Sequence, residues 1–141
     1  MRAQLQAVAD GDAPADFDVT YSDVQPLWGG VTLTLDAEGR FARTTHGPGG
    51  RTTETTRGRV SSERVREMAA LLVEIEAWLH HPTSRHAIPD EAIVTLTLRC
   101  GGEEATVWEL HGDLERNARL VRVRDLLAVL LAVLTSDGPP A

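Results

Sequence analysis

The stretch that most constrains the fold is "AIVTLTLRCGGEEATVWEL", Ala92 to Leu110. Apolar and polar residues alternate on both sides of Gly101–Gly102, the period of a half-buried strand and not of a helix. Two consecutive glycines suit the two-residue turn whose twist matches that of paired strands. Closing the hairpin there sets one register. Cys100 stands opposite Glu103, Arg99 opposite Glu104, Leu98 opposite Ala105, Thr97 opposite Thr106 and Leu96 opposite Val107. Apolar meets apolar, polar meets polar, and an arginine meets a glutamate. A slip of one residue would turn every side chain to the other face. In this register Trp108 opposes Thr95, on the face away from Leu96 and Leu98. It is then either covered by the N-terminal segment or available to a partner.

The same alternation recurs upstream. In "FDVTYSD" (17–23), Phe17, Val19 and Tyr21 share a face. "QPLWGG" breaks that strand, and "VTLTLD" (31–36) resumes with Val31, Leu33 and Leu35 inward. Gly39 fits the left-handed position of a short turn, and "RFARTT" (40–45) returns as the partner strand. "GPGG" (Gly47, Pro48, Gly49, Gly50) is a turn or loop by composition. Residues 51–60 then continue as a polar strand, since threonine suits a solvated sheet face.

Two helices follow from a different period. In "SSERVREMAALLVEIEAWLHH", Val65, Met68, Leu72, Ile75 and Leu79 form one stripe, widened by Leu71 and Trp78. Ser61 or Ser62 can cap its start, and Pro82 marks its stop. The closing helix begins between Asp113 and Arg119 and runs to about Leu134. Its stripe is Leu120, Val123, Leu127, Leu130 and Leu134. Leu126, Val129, Leu131 and Val133 make the last turns apolar nearly all round, so they are buried on several sides or covered by a second copy.

Residues 1–16 are rich in Ala and Asp and read as a flexible N-terminal arm, with room for a short helical turn. Residues 17–135 form one domain, and 136–141 read as a disordered tail. The order β-β-β-β-α-β-β-α predicts an α+β fold, an antiparallel β-sheet with two helices packed on one face. Apolar residues make up 42% of the 141, enough for a core, and aromatics only 4%, so Leu, Val and Ala must fill it.

Composition removes several activities. All 14 basic residues are arginine. Without lysine there is no Walker A phosphate loop and no lysine Schiff base. Cys100 is the only cysteine, so there is no internal disulfide and no C-x-x-C site. The net charge of −7 disfavours nucleic acid as a partner. The longest apolar run, 126–134, is too short to span a bilayer. The N-terminus lacks an apolar core of signal-peptide length, which predicts a cytoplasmic protein.

No catalytic residue, metal ligand or cofactor site is assigned. The serines lack a G-x-S-x-G setting. His80, His81 and His86 follow the first helix, but their spacing matches no standard zinc pattern. They support only the alternative of a small hydrolase or metal-binding protein. The Gly-rich loop is followed by a Thr/Arg strand, not a helix, which argues against phosphate binding. A Thr-rich edge can accept a partner strand by backbone pairing. The candidate partner-binding residues are therefore Trp28, Gly47, Pro48, Gly49, Gly50 and Trp108. A homodimer through the last helix is a further alternative.

At "WGGVTLTLDAEGRF", and at the helix followed by "PDEAIVTLTLRCGGEEATVWEL" and another helix, the chain resembles a group of small bacterial α+β domains. Emfourin-type inhibitors of thermolysin-like metalloproteases belong to that group. The resemblance implies a non-enzymatic module with an inhibitory or accessory role. By position, it points to the GPGG tip and the Trp28–Gly30 segment.

Overall fold

The computed structural model describes residues 1–12, 16–25, 27–82, 91–116 and 118–136. Six strands form an antiparallel sheet: β1 (Asp18–Gln25), β2 (Gly29–Asp36), β3 (Arg40–His46), β4 (Thr52–Arg59), β5 (Ile93–Cys100) and β6 (Glu103–Leu110). A two-residue strand, β7 (Thr135–Ser136), adds to one edge, and the order across the sheet is β6-β5-β1-β2-β3-β4-β7. The helices are α1 (Arg2–Ala9), α2 (Ser62–Glu74) and α3 (Ala118–Ala132). The fold is α+β.

The β5–β6 register is the one the alternation dictates, from Cys100 opposite Glu103 to Ile93 opposite Leu110. Arg99 Nε donates to Glu104 at 3.1 Å, and the Thr97 and Thr106 hydroxyls lie 3.3 Å apart. Ser61 caps α2, its hydroxyl accepting the Arg64 N–H, a contact worth about 1 kcal/mol. The core lies between one sheet face and the helices. Val19, Tyr21, Leu33, Leu35, Phe41, Leu96 and Leu98 meet Leu5, Met68, Leu72, Leu120, Val123 and Leu127 there.

Three expectations need correction. Residues 2–9 are not a flexible arm. They form α1, with Leu5 and Val8 one turn apart and fully buried. Arg2 ties this helix to the end of α2 through Glu76 at 2.6 Å, and its guanidinium lies 5.4 Å from the Trp78 ring centroid. The Met1 amine meets Glu103 at 2.8 Å, and Asp16 accepts the Gly101 and Gly102 N–H groups. Those two N–H groups, Gly102 first, hold the Asp16 carboxyl below its usual range.

Second, α2 stops at Glu74, because Glu76 adopts a left-handed φ of 49°. The chain then turns through Ala77–Leu79 instead of continuing to Pro82. Third, Ser136, expected in the tail, pairs with Gly58, while 137–141 lie outside the described residues. No helix among the described residues is long and apolar enough to cross a membrane.

Candidate interaction surface

Because strand side chains alternate, covering one sheet face leaves the other open. The registers place Thr106, Thr97, Thr20, Thr34, Ala42 and Arg57 in one row across this face. The next row is Trp108, Thr95, Ser22, Thr32, Thr44 and Thr55. Hydroxyl contacts run along it, Ser22 to Thr32 at 3.4 Å and Thr32 to His46 Nε2 at 2.9 Å. At one end of the strands the face is charged. A concavity of about 350 Å³ there is lined by Asp18, Asp36, Arg40 and Arg57 among others. Burial raises the Asp18 carboxyl, against the pull of Thr20 and Arg99.

At the other end the face is apolar. Ile93 pairs with Val24 and lies next to Trp108 on the same face. The β1–β2 turn adds Leu27 and Trp28. These are exposed large apolar side chains: Trp28 73%, Leu27 53%, Ile93 47% and Trp108 39%. Gln25 Oε1 builds the turn by accepting the N–H groups of Leu27 and Trp28, the latter at 2.8 Å. Gly29 has φ +91°, and a Cβ there would strike the His46 carbonyl and Gly47. The close approach explains the glycine after Trp28 and brings that turn beside the tip, where Pro48–Gly50 form a 3-10 turn. Trp28 and the Gly47–Gly50 tip thus come together. Trp108 stands on β6, across β5 from β1. α1 lies against α2 on the other side of the sheet and does not cover it.

The two sheet edges differ. At β6, His80 and Glu109 occupy the edge at Trp108 and Leu110. Glu109 is 2% exposed on the helix-side face, and its Oε2 lies 3.3 Å from His80 Nε2. Its Oε1 accepts the Leu110 N–H, and His80 also hydrogen-bonds the Trp108 backbone. At β4, among the described residues, β7 pairs only with Gly58 and Arg59. Residues 52–57 are exposed on both faces.

The remaining candidates stay apart. His80 is buried against Glu109, His81 is exposed, and His86 lies outside the described residues. No group of three or more His, Cys, Asp or Glu able to hold a metal occurs among the described residues. Cys100 is buried, and burial pushes its thiol up to about 11, with Asp16 adding to the effect. A thiol so placed is a poor nucleophile. Sequence reasoning missed Leu27 and Ile93; the hairpin register, which puts Ile93 on the Trp108 face, was the signal for the second. No protein-family model matches the chain, and no curated protein matches it.

Proposed function

We propose that the chain is a bacterial, cytoplasmic, non-enzymatic module that binds another protein through the rim of its uncovered sheet face, in an inhibitory or accessory role. One observation carries this reading. Of the seven exposed large apolar side chains among the described residues, four lie toward one end of the sheet, Ile93 and Trp108 on its open face and Leu27 and Trp28 in the β1–β2 turn. Scattered apolar residues need no explanation, whereas a gathered set with two tryptophans marks a recognition surface. The threonine rows supply the polar surround expected of such a site. The Gly47–Gly50 tip borders Trp28 and adds backbone contacts.

The test is affinity capture from cells of the source organism with the wild-type chain and a Trp28→Ala/Trp108→Ala variant. The wild type recovers one stoichiometric partner. The variant loses it, because each anchor contributes about 2 kcal/mol, while its melting temperature stays unchanged. A partner retained by the variant rejects the proposal. A second reading, a homodimer through α3, has its own support in exposed Val129 and Val133. It requires a sedimenting dimer that Val129→Glu/Val133→Glu dissociates and the tryptophan variant leaves intact.

A further inference from the structure

The outer edge of β4 is a backbone template with a charge preference. Val60 N–H donates to the Gly39 carbonyl at 2.8 Å, which continues the β3–β4 register by one pair. Along a strand, successive residues direct their N–H and C=O groups to opposite sides. Gly58, Thr56 and Glu54 therefore bond toward β3, and Arg59, Arg57 and Thr55 direct theirs outward. The Arg59 carbonyl accepts the Thr135 hydroxyl at 3.2 Å, on the outer side, as this pattern requires. Among the described residues, β7 uses the edge only at Gly58 and Arg59. Thr55 and Arg57 are exposed beyond it, and no described residue meets their outward groups.

Charge is the second observation. The chain carries −7, yet between 40 and 59 there are five arginines and one glutamate. Arg40 is paired with Asp36 and Glu38. Arg43, Arg51 and Arg57 hold no ion pair among the described residues. Arg57 lies on the open face, and Arg43 lies opposite Thr56 on the helix-side face. Both flank the free edge.

We infer that the β4 edge takes an extended acidic segment of the partner protein as an added antiparallel strand; this rests on the binding-module reading above and specifies the partner's chemistry. The added strand bonds to Thr55 and Arg57. Directly paired residues share a face, so the partner residue opposite Arg57 reaches its guanidinium on the open face. The neighbouring residue, opposite Thr56, points to the helix side and reaches Arg43. Two adjacent carboxylates thus satisfy two arginines that lie on opposite faces of the ribbon. A second copy of this chain fits poorly. Twofold pairing of β4 with itself, Thr55 against Arg57, sets the two Arg57 side chains diagonally on one face, where like charges destabilise. Nucleic acid also fits poorly, because phosphates do not use a row of alternating N–H and C=O groups.

The experiment uses an acetylated, fluorescein-labelled octapeptide of Thr and Val with Glu-Asp at its centre. Its counterpart carries Lys-Lys instead. Fluorescence anisotropy reads binding to the full chain. The acidic peptide binds and the Lys-Lys peptide does not. Arg57→Glu weakens binding about tenfold, as expected for loss of a charge-assisted contact. Thr55→Pro also weakens it about tenfold, because it removes an outward N–H that no strand of the sheet uses. Gln6→Ala, at an exposed position of α1, leaves the peptide affinity within about twofold, since it lies off the edge. Circular dichroism verifies that each variant is folded. Should Thr55→Pro misfold, Thr55 N-methylation by chemical ligation removes the same donor without fixing φ. Equal binding of both peptides, no binding of either, or unchanged affinity after loss of the Thr55 donor overturns the inference. So does a single-stranded oligonucleotide binding where the peptide does not, or a wild-type dimer that loss of the donor dissociates. A partner captured equally by Thr55→Pro and wild type but lost by the tryptophan variant sinks this inference alone and leaves the binding-module reading standing.

Discussion

Leu5→Ala tests whether the N-terminal segment is part of the core. Leu5 is fully buried, with Val8 one turn away, in a helix that the Met1–Glu103 and Arg2–Glu76 pairs anchor at its start. Truncating a fully buried leucine removes its transfer energy and leaves a cavity, a loss of about 2–5 kcal/mol. A domain of this kind has a total stability of about 5–15 kcal/mol. The substitution therefore removes a large fraction of it. At about 2–4 °C per kcal/mol, the melting temperature falls by about 4–20 °C. Thermal unfolding followed by circular dichroism at the helix band measures the shift. Gln6→Ala, at an exposed position of the same helix, is the control and stays within about 0.5 kcal/mol. A Leu5→Ala shift no larger than the control refutes the reasoning, since a detached arm contributes nothing to the core.

Two further outcomes follow from single groups. Tyr21 has a buried hydroxyl with no hydrogen-bond partner among the described residues, and burial raises its pKa. Tyr21→Phe is therefore neutral or stabilising by about 1 kcal/mol in urea unfolding; a comparable loss would reveal a partner for the hydroxyl. Burial holds His80 below its ordinary pKa, against the opposing pull of Glu109, with Arg119 acting in the same direction as burial. The unfolded chain then takes up the proton first. The His80 contribution is complete above about pH 6.5 and declines as pH falls through the window down to the lowered pKa. His80→Asn flattens that part of the stability–pH curve, and a slope that persists in the variant contradicts the assignment.

The β5–β6 hairpin was legible because its alternation, its Gly-Gly turn and its Arg99–Glu104 pair all point to one register. The α2 stripe was legible from Val65, Met68 and Leu72, though its end was not. Glu76 enters the left-handed region without the glycine or proline that usually announces such a break. The α1 helix was legible only as a short turn in an arm, because it buries only Leu5 and Val8, in a stretch of Ala, Gln and Asp with too little apolar periodicity to stand out. The outward Trp108 followed from register alone. The pairing of His80 with Glu109 could not, because it depends on the turn that brings residues 77–80 back against β6. Trp28 could be singled out by its residue type and the glycines after it, but its place beside the 47–50 tip needed the fold.

The central claim is that recognition takes place on the open sheet face and its β4 edge. Hydrogen–deuterium exchange of the chain, alone and with its captured partner, tests that most directly. Binding should slow exchange at 24–30, 46–57, 93–95 and 106–110, with the Thr55 and Arg57 amides among those protected. Protection confined to α3, or no change in any of those four segments, would contradict it.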